Sequence, residues 1–416
     1  MCKSRVFRLF TVLGFITFAL LLPGCLFIPA PVPYVQEVLP FIWVPNLDGT
    51  VSKVNTETGQ ELGRYRVAPP DLPDGGSPSR TTVDLDGNCW VGLRTAGTVV
   101  KIGLYERGFW IDRNGDGICQ TSRDLNGDGK ITGDEILPWG EDECVLYEVV
   151  LIPGHEGTYA PGTYPVSDYD TDFWGTAPRG LAIDRYNNLW AGTYRSQKYY
   201  YIDGASGTIL KVLDVSPWDH HAYGAVIDSN GVIWSSGQEY DHVLRIDPRT
   251  DPPAIERIDL GHFSYGLALD YGGHLFVTGW SDNVLTKIDI NTGQIIWTKY
   301  IPVAGWFRGA TVTKDNNVWL ASWYGCVVRL NNDGDVNAVI YLPQWGEVTG
   351  VAVDRVGKLW ACPIGNEYIY RIDPRTNRID LAVLIEGSGG HYSYSDMTGS
   401  IVQTITVCPP GPYRTR

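Results

Sequence analysis

Five segments of this 416-residue chain begin alike: Gly180-Leu-Ala-Ile-Asp184, Gly224-Ala-Val-Ile-Asp228, Gly266-Leu-Ala-Leu-Asp270, Gly309-Ala-Thr-Val-Thr313 and Gly350-Val-Ala-Val-Asp354. They start 44, 42, 43 and 41 residues apart, and ten residues after each Gly stands Trp190, Trp234, Phe276, Trp319 or Trp360. A further short run follows, such as Leu244-Arg-Ile-Asp247 or Tyr370-Arg-Ile-Asp373, and then a turn and a fourth run. The runs are bounded by Asp, Gly and Asn and lack the 3, 4 and 7 apolar spacing of helical repeats. Four short strands per unit of this length is the pattern of a β-propeller blade.

A sixth unit precedes these, with Arg80-Thr-Thr-Val-Asp84 leading to Trp90, a third strand near Thr98 to Leu104, and a fourth resuming at Val145 to Leu151. The N-terminal unit lacks its first strand. Phe41 to Val44, Thr50 to Val54 and Gly63 to Val67 read as strands two, three and four. His391-Tyr-Ser-Tyr394 repeats His262-Phe-Ser-Tyr265, so a strand following it, to about Val407, is expected to complete the first blade. Such closure pairs both terminal edges. The expected fold is all-β: a seven-bladed β-propeller over 41–407, closed by the C-terminal strand, with 408–416 as a tail. The 48 Gly, 15 Trp and 24 Tyr agree with an all-β chain rich in turns.

The unit Gly-Leu-Ala-Ile-Asp-x-x-Asn-Asn-Leu-Trp at 180–190 resembles the blades of streptogramin B lyase (virginiamycin B lyase) and the wider group of gluconolactonase-like propellers. The resemblance implies the propeller fold. It also implies His and Glu side chains near the channel mouth acting with magnesium. In those lyases a Glu commonly stands three residues after the blade aromatic. Here the corresponding positions hold Thr193, Gly237, Gly279, Ser322 and Pro363. The missing glutamate counts against that activity.

Between strands three and four of the second blade lies an insertion, 108–143. It contains Asp124-Leu-Asn126-Gly-Asp128-Gly129-Lys130-Ile131-Thr132-Gly-Asp134-Glu135, which matches a twelve-residue EF-hand loop. Asp124, Asn126 and Asp128 would give side-chain oxygens at positions 1, 3 and 5. Lys130 would give its carbonyl at 7, Thr132 a water-bridged contact at 9, and Glu135 two oxygens at 12, around the sharp turn at Gly129. Calcium is the expected cofactor; magnesium enters only with a lyase-like activity. A second, weaker site is expected at Asp112, Asn114 and Asp116, whose position 12 falls on Arg123. The tandem spacing resembles dockerin or thrombospondin-type calcium repeats, in which acidic side chains are shared between turns.

Propeller ligands usually bind where loops entering the innermost strands converge on the axis. The residues just before each unit's Gly position are Ser79, Arg179, Tyr223, Tyr265, Arg308, Thr349 and Tyr394, with Tyr194, Glu239, Trp280 and Trp323 near the ends of second strands. Of these, Arg179, Tyr223, Tyr265, Trp280, Arg308, Trp323 and Tyr394 are the candidate ligand-binding set, suited to a sugar, an aromatic molecule or an anionic group. His220, His262 and His391 occupy equivalent positions upstream and are the candidates for catalysis or metal ligation if the protein is an enzyme. The alternative for these residues is packing between blades and turn capping. The Asp ending the first strands (Asp84, Asp184, Asp228, Asp270, Asp354) is expected to hold the following hairpin turn. No nucleophile elbow or phosphate loop is present.

Lys3, Arg5 and Arg8 followed by the apolar run Leu9 to Leu22 and Leu22-Pro23-Gly24-Cys25 read as an export signal, 1–25, with Cys25 as a lipidation site. Residues 26–40 are a Pro-rich tether. The expected location is therefore the bacterial cell envelope (outer membrane or periplasm) or the extracellular space. The formal net charge of −14 becomes more negative by three when Lys3, Arg5 and Arg8 are removed. A chain this acidic is a poor match for nucleic acid or anionic lipid, so membrane attachment is expected through the lipid alone. In an exported chain Cys119 and Cys144, which bracket the calcium segment, are expected to form a disulfide. The pairing of Cys89, Cys326, Cys362 and Cys408 stays open. These readings point to a monomeric exported binding protein for a small molecule, glycan or protein at the channel mouth, with a metal-assisted lyase or lactone hydrolase as the alternative.

Overall fold

The computed structural model describes residues 39–303 and 305–401. Cys25, the export signal, residues 26–38 of the tether and residues 402–416, including Cys408, lie outside the described residues. Seven antiparallel sheets follow one another along the chain, one per sequence repeat. The alternation within each unit sets the layering. Innermost strands such as Pro178–Ile183 are buried throughout, whereas outermost strands such as Ile209–Asp214 alternate between half-buried and exposed. Each blade aromatic packs into its neighbour. Trp90 joins one cluster with Leu181, Leu189 and Tyr200 of the third blade, and Trp319 joins Val351, Leu359 and Tyr370 of the seventh. At about 25 cal/mol per Å² of apolar surface removed from water, these interblade aromatics carry much of the driving force.

The strand-end Asp does what its position predicts. Asp354 accepts the N–H groups of Val356 and Lys358 through Oδ1 at 3.0 and 2.9 Å, and the Trp360 indole N–H through Oδ2 at 3.0 Å. Asp228 repeats the arrangement with Asn230, Val232 and Trp234. One carboxylate thus fixes both the hairpin turn and the core aromatic.

The first blade has strands Phe41–Pro45, Thr50–Asn55 and Glu61–Arg66. The C-terminal segment fills its inner place, as expected, but not as a regular strand through the described residues. His391 forms an isolated bridge with Asn46, the Trp43 N–H donates to the Met397 carbonyl at 2.9 Å, and Ser400 and Ile401 are helical. Gly399, with a φ of 76°, and Asp396, whose carboxylate accepts the N–H groups of Thr398, Ser400 and Ile401, turn the chain out of the extended form. Leu39 and Pro40, assigned to the tether on composition, belong to the fold: Leu39 packs on the core and the Pro40 carbonyl accepts the Thr56 N–H. The second blade has a fifth strand, Gly157–Tyr159, beyond the expected fourth, Val145–Val150.

Candidate functional site at the propeller axis

Four innermost strands enter the axis through β-bulges. Register shifts fall between Pro78 and Arg80, opposite Arg179, between Phe307 and Ala310, and between Val348 and Gly350. A bulge re-aims the unpaired residue, and here those residues are Ser79, Arg179, Arg308 with Gly309, and Thr349. The other blades contribute Tyr223, Tyr265 and Tyr394. Their rings form a triangle, with centroids 4.8 Å (223–265), 4.9 Å (265–394) and 5.9 Å (223–394) apart. The Tyr223 hydroxyl pairs with those of Tyr265 at 3.1 Å and Tyr392 at 2.9 Å.

The guanidiniums sit against these rings. Arg179 lies 5.2 Å from the Tyr223 ring and 4.4 Å from Trp174. Arg308 lies 5.1 to 5.6 Å from Tyr265, Trp280 and Trp323, donates to the Trp280 carbonyl, and pairs with Glu347. The structure therefore brings together all seven residues of the expected ligand-binding set.

Sequence reading missed Arg80, Arg94 and Tyr392. Arg80 stands where the repeat has Gly. Blades three to seven keep that Gly, and close approach imposes it: a Cβ on Gly266 would meet the Arg308 carbonyl at 2.2 Å. Arg80 instead crosses the axis, donating from Nε to the carbonyl of Arg179 at 2.8 Å, and stacks 3.8 Å from Tyr394 and 4.6 Å from Tyr223. Arg94 lies four residues after Trp90, the offset of Tyr194, Trp280 and Trp323 from their own blade aromatics, and that spacing was the signal for it. It stacks on Phe173 at 4.3 Å and Tyr392 at 4.1 Å. Burial pulls the Arg94 pKa down to about 10. Burial acts to raise the Tyr392 phenol, but Arg94, Arg179 and Arg80 outweigh it and draw it down to about 7. Each desolvated cation–π contact returns roughly 2 kcal/mol. Withdrawing a guanidinium from water costs several kcal/mol, so the site is electrostatically hungry for negative charge.

The three candidate histidines do not meet. Each is tied down within its part of the fold. His220 is fully buried between His242 (Nδ1 to Nε2, 3.0 Å) and Ser235 (2.7 Å). His262 bonds Thr286 at 2.6 Å and the Phe263 carbonyl, and His391 bonds Asn46 at 3.0 Å. Burial is the main cause that lowers the pKa of His220 well below its ordinary value and that of His391 to about 4, so both are neutral at pH 7. Among the described residues, one group places three His, Cys or carboxylate ligand atoms within 4.8 Å of one another: Asp241, His242 and Asp259. The Arg257 guanidinium already lies on both of its carboxylates, 2.8 Å from Asp259 and 3.3 Å from Asp241.

In the insertion, the EF-hand-like loop is wound on its own side chains. Asp124 accepts the N–H groups of Gly127 and Gly129, Asn126 that of Asp128, and Asp128 that of Lys130. Glu135, at position 12, accepts Leu125 (position 2) at 2.9 Å and Thr132 (position 9) at 3.1 Å. The loop at Asp112 repeats the pattern: Asp112 accepts Gly115 and Gly117, Asn114 accepts Asp116, and Asp116 accepts Ile118. Its position 12 is Arg123, yet the carboxylate is present. Glu143 accepts Arg113 (position 2) at 2.8 Å and Gln120 (position 9) at 3.0 Å. Both donor sets are all oxygen, which suits a hard cation. Asp124, Asp128 and Glu135 stand farther apart than the Asp241 group. Cys119 and Cys144 face each other with sulfurs 3.7 Å apart. Cys119 and Cys144, like the buried Cys89, Cys326 and Cys362, are free thiols, so the expected Cys119–Cys144 disulfide is not formed in this structure.

Fold and site together define a seven-bladed propeller with an aromatic, cationic axial mouth. No family model and no curated protein matches the chain. Solved structures do. A virginiamycin B lyase from Staphylococcus aureus is 20% identical over 74% of this chain and 84% of its own, with a TM-score of 0.52. A streptogramin B lyase is 15% identical over 78% and 91%, with a TM-score of 0.50. A functionally unknown protein from Desulfotomaculum acetoxidans is 12% identical over 86% and 99%, with a TM-score of 0.56. At these identities the likeness is one of fold, which propellers share across many activities.

Proposed function

We propose that this protein is an exported binding protein whose propeller axis takes a small ligand and whose blade-two insertion is braced by calcium. The observation that carries the binding reading is the meeting of Tyr223, Tyr265 and Tyr394 with Arg179 and Arg308 at one end of the axis. Flat aromatic faces and fixed guanidinium donors in a partly desolvated ring are the elements of ligand recognition. Export rests on the basic and apolar N-terminal run ending at Cys25. Two calcium ions are assigned to the insertion, one at Asp124, Asn126, Asp128, Lys130, Thr132 and Glu135, the other at Asp112, Asn114, Asp116 and Glu143.

A binding role is favoured over lactone or streptogramin chemistry because His220, His262 and His391 are held separately and no Glu follows the blade aromatics. The test is calorimetric titration of the chain with a panel of glycans, peptides and aromatic small molecules, alongside turnover assays on streptogramin B and simple lactones. Saturable binding without turnover is expected. Turnover lost in His262→Ala would reverse the order of the two readings.

A further inference from the structure

Four guanidiniums crowd the axis. Among the described residues, Arg308 has a carboxylate partner, Glu347. Arg80, Arg94 and Arg179 have none there. Arg80 and Arg179 are 0% exposed and Arg94 is 4% exposed. Nη1 and Nη2 of Arg80, and Nε and Nη1 of Arg179, have no hydrogen-bond partner among the described residues. The cations are interleaved with rings: Phe173 lies between Arg94 and Arg179, at 4.3 and 4.7 Å, and Tyr223 between Arg179 and Arg80, at 5.2 and 4.6 Å.

We propose that Arg80, Arg94 and Arg179 form a socket for an oxyanion, a carboxylate or phosphate group, at the propeller axis. This rests on the reading of the axis as a ligand site and names the chemistry the ligand must carry there. A guanidinium cannot relieve its burial by losing its proton, so the unpaired N–H groups require an acceptor. The planar fork matches carboxylate and phosphate oxygens in pairs. Placing an Arg where blades three to seven keep Gly puts one of these forks across the axis. Tyr392, whose phenol the same three arginines draw toward ionisation, is the internal counter-charge when the socket is empty. A bound anion takes over that role and returns the proton to Tyr392.

The test is calorimetry and thermal melting of the protein with sodium phosphate, acetate and benzoate at constant ionic strength, with chloride as the control. In parallel, the phenolate absorbance is titrated against pH with and without the anion. Phosphate or a carboxylate is expected to raise the melting temperature saturably while chloride does not. The near-neutral tyrosine titration is expected to move up by roughly one to three pH units on binding. Arg80→Gln and Arg179→Gln are expected to abolish both responses, and Arg375→Gln, on an exposed side chain, to keep them. Tyr392→Phe removes the titration and retains anion binding, which separates the socket from the fold. Tightest binding by phosphate identifies a free ion. Tighter binding of benzoate than acetate identifies the acidic group of a larger aromatic ligand. Melting and titration that ignore all three anions, or responses unchanged in Arg179→Gln, overturn the socket. A neutral ligand that binds independently of Arg80 and Arg179 would overturn it while leaving the binding reading in place; binding of no ligand of any charge would remove both.

Discussion

The Glu143 carboxylate accepts the backbone N–H of Gln120 at 3.0 Å from 23 positions away, reproducing in one loop what Glu135 does for Thr132 from three positions away in the next. Two loops built alike, one closed locally and one closed by the turn that precedes the strand Val145–Val150, are the basis for proposing two calcium ions rather than one.

Glu143→Gln and Glu135→Gln should each remove one calcium and leave the other. Each substitution keeps the shape and hydrogen-bonding reach of the side chain but removes the charge that a hard cation requires. Calorimetric titration of the chelated protein is expected to give two equivalents for the parent and one for either variant. A parent binding one equivalent, with Glu143→Gln indistinguishable from it, would disprove the second site.

The same return of the chain brings Cys144, next to Glu143, against Cys119 at 3.7 Å. Oxidation would close a loop between residues 25 apart, for which chain-entropy reasoning gives about 3 kcal/mol. The oxidised protein is expected to have one thiol pair fewer and to lose its extra stability on mild reduction. The Cys119→Ser variant should show neither change in a denaturant titration with and without reductant. Burial already raises both thiols, so reaction with thiol reagents at neutral pH should be slow.

Asp354→Ala should destabilise the seventh blade by about 3 kcal/mol. The substitution orphans the N–H groups of Val356, Lys358 and the Trp360 indole, and a buried donor left without its partner costs roughly 1 to 3 kcal/mol. Asp354→Asn, which keeps an acceptor, should lose less. Urea unfolding measures both, and equal losses would show that hydrogen bonding is not the source.

The blades were legible because their signals are local. Gly, Asp and the aromatic recur at fixed offsets, and each offset reports a turn, a cap or a core position. The same offsets placed Tyr223, Tyr265 and Tyr394 on the axis. Arg80 escaped because it takes the place of the repeat Gly, where sequence alignment expects no side chain. His220, His262 and His391 share a register but not a direction, since each finds a partner in its own part of the fold before it can reach the axis. Glu143 could not be read at all, because its loop partner is supplied through tertiary structure rather than spacing. The inner segment of the first blade was predicted in place but not in form, because Gly399 and the turn held by the Asp396 carboxylate bend it out of the extended conformation.

Glu148 gives a prediction whose sign can be worked out. Its side chain is fully buried and accepts the Tyr169 hydroxyl at 3.0 Å. Burial pushes its pKa from an ordinary 4.5 up to about 7, more than hydrogen bonding lowers it. A carboxyl whose pKa is higher in the folded than in the unfolded chain holds its proton more tightly when folded. Its contribution to stability is therefore fully present below about pH 4.5 and lost as the pH rises through about 7. The loss over that window is on the order of 3 kcal/mol. Glu148→Gln keeps an acceptor for Tyr169 and carries no charge at any pH. The variant should match the parent near pH 4.5 and exceed it in stability at pH 8, with the difference opening between the two. Denaturant unfolding at several pH values checks this. A variant less stable than the parent at pH 8 would mean that the ionised carboxylate is paired in a way that the Tyr169 contact does not account for.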